Sequence, residues 1–181
     1  MKKLAFVAAV LLPTLASAAG LEGTTVDLRY DFDNGTTVFH TQDSVLVGAG
    51  TELSCPGAAQ VCQVLTSPTQ TLDFGDSSVR YDYTGPGSGF DNIAVNHFRF
   101  ESLFGSGTAI TGVQLTSNGI AGLDASRLSF TAHSVQVDMR GLPLASQAFF
   151  QLDLQTAPVP EPASAALLLG GLALLLARRR A

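Results

Sequence analysis

Tryptophan is absent from the 181 residues, lysine occurs only as Lys2 and Lys3, and there are just two cysteines and three histidines. Basic residues are outnumbered, 10 Lys and Arg against 15 Asp and Glu, for a formal charge of −5. That balance excludes a binder of nucleic-acid backbones, which needs a basic face. Charged residues make up only 14% and apolar residues 46%, which excludes a disordered chain. No window of about twelve residues carries a capped 3.6-residue apolar period, so a helical bundle is excluded. No apolar run reaches the ~20 residues of a comfortable membrane span. The length allows one domain with processing segments, and no solenoid repeat is present.

What is present divides into three zones. Residues 1–18 have the order of a secretory signal peptide: Lys2 and Lys3, an apolar run over residues 4–15, then Ala16-Ser17-Ala18 as a small-x-small cleavage site. Cleavage after Ala18 is expected, with entry into the Sec export machinery. At the other end, Pro158-Val159-Pro160-Glu161-Pro162 precedes fifteen uncharged residues, 163–177, and Arg178-Arg179-Arg180 close the chain. A helix over residues 163–177 is about 22 Å long at ~1.5 Å per residue, short of a ~30 Å hydrocarbon core. Bilayer thinning or arginine snorkelling closes that gap, and the arginines hold their end on the cytoplasmic side. A permanent C-terminal anchor is one reading of this segment.

The three-part order resembles the PEP-CTERM sorting signal of exopolysaccharide-producing Gram-negative bacteria. The matching residues are Pro160, Glu161 and Pro162, the span 163–177, and the basic anchor Arg178, Arg179 and Arg180. The resemblance covers residues 158–181. It implies a transient stay in the inner membrane and cutting near Pro160-Glu161-Pro162 by an exosortase, a membrane peptidase-transpeptidase. The chain is then released or attached at the surface, in association with exopolysaccharide, biofilm or floc. Alternating prolines keep residues 158–162 extended, a form that a protease cleft can read, and Glu161 is their one charge.

Between these ends lies a body, residues 19–157, with fourteen carboxylates, five arginines and no lysine, a formal charge of −9. Its pattern is period two. Val26, Leu28, Tyr30 and Phe32 alternate with Asp27, Arg29 and Asp31, and Asn34-Gly35 then signals a hairpin into residues 36–41. Residues 69–74 and 79–83 flank Gly75-Asp76-Ser77-Ser78 as a second hairpin, with Val79, Tyr81 and Tyr83 on one face. Phe98, Phe100 and Ser102 alternate with Arg99 and Glu101. Further strands are expected over residues 110–116, with Gly112 as a bulge, and over 128–130, 134–139 and 149–154. Residues 121–127 allow one short helical turn. About nine short strands predict an all-β fold, a two-sheet β-sandwich of jelly-roll-like order; a partial barrel is the alternative.

Cys55 and Cys62 flank six residues, and an exported chain makes a disulfide the expected state. Closing an eight-residue loop contributes about 2–3 kcal/mol on the chain-entropy account, and the bridge is expected to pin a loop tip. A redox pair has closer spacing, and a zinc site lacks a nearby His or third Cys.

Few residues suggest reaction chemistry. Gly87-Ser88-Gly89 and Gly105-Ser106-Gly107 lack nucleophile-elbow spacing and read as loops. His40, His97 and His133 are dispersed, with convergence in space left open. Residues 31–35 (Asp-Phe-Asp-Asn-Gly) carry calcium-type oxygens, but the glycine comes too early for an EF-hand and no closing Glu follows. Neither a catalytic set nor a resident metal or cofactor is assigned. Two functions follow: a non-enzymatic exported surface or matrix-associated protein, or a carbohydrate-binding or glycan-hydrolysing sandwich. The second needs aromatic platforms, and Tyr30, Tyr81 and Tyr83 fit core positions instead.

Overall fold

A computed structural model describes residues 20–65 and 69–159, together with Gly170 and Arg178. The signal segment 1–18, the sorting residues Pro160, Glu161 and Pro162, and Arg179 and Arg180 lie outside the described residues. Among the described residues twelve strands run in chain order: β1 (Thr25–Asp33), β2 (Val38–Leu46), β3 (Leu53–Cys55), β4 (Gln70–Gly75), β5 (Ser78–Thr84), β6 (Ser88–Gly89), β7 (Val95–Glu101), β8 (Thr108–Asn118), β9 (Leu128–Phe130), β10 (Val135–Asp138), β11 (Pro143–Leu144) and β12 (Gln147–Pro158). Single 3₁₀ turns occupy Val61–Gln63 and Ala125–Arg127.

The strands form two antiparallel five-stranded sheets, ordered β2-β1-β7-β10-β9 and β3-β4-β5-β12-β8, with β6 and β11 as a separate small pair. The all-β sandwich expected from period-two patterning is therefore present. Its order departs from a jelly roll, in which successive strands pass from sheet to sheet: β1–β2, β3–β4–β5 and β9–β10 stay beside their chain neighbours. Short turns account for this in β1–β2, β4–β5 and β9–β10, since a tight hairpin leaves no chain to cross the core; β3 and β4 are neighbours across a longer connection, residues 56–69.

The inward residues behave as the alternation requires. Val26, Leu28, Val79, Phe98, Phe100, Val137, Phe150 and Leu152 are all fully buried. Phe98 of the first sheet lies at the centre of an aromatic cluster. Its ring centroid is 5.1 Å from Tyr30, 5.3 Å from Tyr81, 6.0 Å from Phe90, 6.1 Å from Phe150 and 6.3 Å from Phe100. Tyr81 and Phe150 belong to the opposite sheet, so this one side chain joins both layers. The tilted and edge-on arrangements suit the ring quadrupoles. Two tyrosine hydroxyls in this core are satisfied internally: Tyr30 donates to Asn96 Oδ1, and Tyr81 to Gln70 Oε1 at 2.6 Å. Burial pushes both phenols well above their ordinary pKa, and for Tyr30 the charge of Asp91 adds to it.

Several local expectations change in detail. The first hairpin pairs Asp33 with Val38, so its loop is the four residues 34–37 rather than Asn34-Gly35 alone. Gly35 takes φ 81°, while Asn34 acts through its side chain, accepting the N–H groups of Thr36 and Thr37 at 3.0 and 2.7 Å. The second hairpin has a two-residue loop, Asp76-Ser77, between paired Gly75 and Ser78. A bulge falls beside Gly112: Gln155 pairs with Gly112 and Thr156 with Ile110, leaving Thr111 extra. Ser102 leaves the inward face expected of it; its φ is 60° and its hydroxyl donates to Asp27 Oδ2 at 2.7 Å. The short strands β3, β6 and β11 carry too few residues to show a period.

Candidate functional site

The first sheet turns one face to the core and presents the other as a set of polar rows. Antiparallel register places His40, Asp31, His97 and Asp138 side by side on β2, β1, β7 and β10. The next row is Gln42, Arg29, Arg99 and Gln136, and beyond it lie Ser44, Asp27 and Glu101. A basic row thus separates two acidic ones. Arg29 and Arg99 reach Glu101 at 3.6 and 3.2 Å, and Arg29 also approaches Asp31 at 3.7 Å. Arg140 and Arg127 approach Asp138 at 2.6 and 3.6 Å.

Asp31 is the centre of this face. It is only 4% exposed, and its oxygens are divided between two imidazoles: Oδ1 with His40 Nδ1 at 2.7 Å and Oδ2 with His97 Nε2 at 3.0 Å. Burial pushes the carboxyl up, but the hydrogen bonds from both rings and the charges of His97 and Arg29 outweigh it and hold the pKa below the ordinary value. His97 goes down as well. Burial disfavours its cation and Arg99 adds to that, against the hydrogen bond to Asp31 and the charges of Asp31 and Asp138. The favoured state is an ionised Asp31 accepting N–H bonds from its neighbours.

Two of the three histidines therefore converge, while His133 sits apart with Nδ1 3.3 Å from Leu103 O. The Asp31–His40 contact follows from the hairpin register. The Asp31–His97 contact joins residues 66 apart in sequence, and no local signal marks it. Among the described residues, neither imidazole is hydrogen-bonded to a hydroxyl or thiol, so the cluster has the acid–base part of a relay without a nucleophile. Nor do the rings converge on a point where an ion could sit, because the carboxylate lies between them. Among the described residues no group of three or more His, Cys, Asp or Glu is placed to hold a metal ion. Within residues 31–35, Asp33 Oδ1 accepts Gly35 N–H at 2.7 Å and Asn34 Oδ1 caps the loop.

Cys55 and Cys62 form a disulfide. The bridge is buried at 1% and 8% exposure, part of the core rather than an exposed loop tip. It ties β3 to the 3₁₀ turn Val61–Gln63. The same turn is capped from the opposite sheet by Asp43, which accepts the N–H groups of Gln60 and Val61 at 2.9 and 2.8 Å.

A cavity of about 200 Å³ opens at one end of the sandwich, between Tyr30, Phe32, Gln70, Phe90, Asp91 and Asn96. Its best-placed polar side chain, Asn96, accepts from Tyr30 and donates to Asp91 O at 3.1 Å. The tyrosines expected in the core are there: Tyr30, Tyr81 and Tyr83 are 4%, 0% and 1% exposed, so none offers a ring face to a sugar. Of the basic cluster at the chain end, Arg178 alone is described, and it is exposed. Among the described residues no helix is long and apolar enough to cross a membrane. Comparison of the chain with protein-family models, curated proteins and solved structures gives no match.

Proposed function

We propose that this protein is a non-enzymatic exported protein of the cell surface or extracellular matrix, with the β-sandwich as its delivered part. Residues 1–18 start export through the Sec machinery. Residues 158–181 act as a PEP-CTERM sorting signal, read by an exosortase during a transient stay in the inner membrane. Exopolysaccharide is the associated polymer, and nucleic acid is not a partner. The observation that carries this reading is the order Pro160-Glu161-Pro162, uncharged residues 163–177, then Arg178-Arg179-Arg180, beginning where β12 ends at Pro158. Two features support it. Among the described residues the buried core runs from Leu21 to Leu154, within the part that the reading treats as delivered. The Cys55–Cys62 bridge suits an oxidising compartment.

The mass of the mature chain recovered from culture supernatant tests this reading. The expected species begins at Ala19 and ends near residues 160–162. Glu161→Ala is expected to retain the protein in the membrane. A full-length chain from Met1 to Ala181 in the cytosol, or unaltered release of the variant, overturns the assignment.

A further inference from the structure

A sheet edge is a row of backbone donors and acceptors waiting for a strand, and proteins blunt it by shortening, charge, proline or cover. The sandwich has four such edges. β3 and β9 have three residues each. β2 is long, but it carries His40 and Asp43, and Asp43 holds the 3₁₀ turn against it. β8 is different. It runs for eleven residues, Thr108–Asn118, with no charged residue and no proline, and among the described residues its one partner strand is β12.

The start of β8 is protected. Thr111 forms the bulge, and Ile110 N–H donates to Ala132 O at 2.8 Å. From Gly112 onward no such cover is present among the described residues. Here the inward side chains Val113 and Leu115 are only partly buried, although their partners on β12, Leu154 and Leu152, are 5% and 0% exposed. Among the described residues the core is incomplete along this edge in a way that one more strand with two inward apolar residues would complete.

A second copy of β8 is such a strand. We propose that the free edge of β8 pairs antiparallel with β8 of another copy, about a two-fold axis at Gln114, joining two five-stranded sheets into one continuous sheet. In that register Val113 faces the partner's Leu115, Leu115 faces the partner's Val113, and the two Gln114 side chains meet on the solvent face. A two-fold axis perpendicular to the sheet keeps both apolar pairs on the core side. Electrostatics favours the same strip. Each body carries a formal −9, so two copies approach best where charge is missing. The nearest carboxylate in the row is Asp153, paired with Gln114 on β12. Its counterpart in the other copy lies three strand spacings away, about 14 Å at ~4.8 Å each, beyond the ~8 Å Debye length of physiological salt. A short strand pair buries less than the ~1,200 Å² of a standard interface, so the dimer is weak and driven by local concentration. This pairing stands whether or not the chain is exported.

Cysteine cross-linking of the full chain tests it. The described residues contain no free cysteine, and Gln114 is exposed, so Gln114→Cys introduces a thiol on the proposed axis without entering the core. Mild oxidation is expected to give a covalent dimer with Gln114→Cys and none with Gln42→Cys on the β2 edge. Adding Gln42→Lys to the Gln114→Cys chain leaves the dimer intact. Adding Thr116→Lys, which sets a charge on the same strip, lowers its yield about tenfold. No dimer from Gln114→Cys overturns the pairing. So does equal cross-linking from both edges, or a dimer insensitive to Thr116→Lys.

Discussion

The carboxylate of Asp43, carried by one sheet, accepts the N–H of Val61 at 2.8 Å in the turn that the disulfide binds to the other. The path from β2 through Asp43, the 3₁₀ turn and the Cys55–Cys62 bridge to β3 is a clasp across the open side of the sandwich. A bridge spanning eight residues thereby acts between layers.

Asp43→Ala removes the acceptor of two backbone donors. It is expected to cost about 1–2 kcal/mol, as for the loss of a helix cap. Replacing both cysteines by alanine is expected to cost about 2–3 kcal/mol. Because both act through one turn, the combined variant should lose less than the two losses added. Urea unfolding followed by tyrosine fluorescence reads all three, and strict additivity refutes the clasp.

Acid weakens the Asp31 cluster in two stages. The folded pKa of His97 is depressed, so on descending through about pH 6.5 the unfolded chain takes up a proton that the folded chain refuses. The unfolded state then binds more protons, and stability falls. The folded pKa of Asp31 is also depressed, so its contribution is present above about pH 3.9 and is lost as pH falls through the folded value. His97→Gln is expected to flatten stability between pH 7.5 and 5.5 and to reduce the loss below pH 4, because Asp31 then keeps fewer of the groups that lower its pKa. Urea midpoints across that range check it, and an unchanged slope in the variant counts against the assignment.

Phe98→Ala removes the ring that touches five others across both sheets. It is expected to destabilise by about 3–5 kcal/mol, with the spread set by how far the cavity collapses. Phe130→Ala, at an edge residue 47% exposed, should cost under about 1 kcal/mol. Thermal melts of the two variants side by side measure the contrast.

Two glycines should respond in opposite ways. Gly119 has φ 72°, and a Cβ there would lie 2.7 Å from Gln147 O and 3.1 Å from Ala148 Cα. Gly119→Ala is expected to cost more than about 1 kcal/mol, since strain and a backbone clash combine. Nothing lies within 4 Å of a Cβ at Gly107. Gly107→Ala should be neutral, or stabilising by a few tenths of a kcal/mol through the unfolded chain. Denaturant midpoints separate the two.

Most strands were legible because period two is a local property. Val26, Leu28 and Tyr30 declare a buried face without reference to any other segment, as do Val79, Tyr81 and Tyr83, and all six are buried. Ser102 broke its pattern because a positive φ turns the chain after Glu101, and a serine tolerates either face. The Asp31 cluster was not legible, since the three histidines stand dispersed in the sequence. With a two-residue loop Asp31 would face Val38; the four-residue loop shifts the register by two and brings His40 opposite. His97 could not be found this way, because its place beside β1 depends on a crossing between strands distant in sequence.

Residue order alone determined the alternation, the turn sites, the charge and apolar pattern of the two ends and the availability of one cysteine pair, since each depends on near neighbours and on short-range backbone and hydrophobic preferences. Tertiary structure decided which strands became neighbours, and with that the meeting of Asp31 with His97, the grip of Asp43 on the disulfide turn and, among the described residues, the uncovered stretch of β8 from Gly112 onward. Those contacts join segments far apart in sequence, and they arise when two apolar faces close on each other. No local preference records which distant strand completes a sheet.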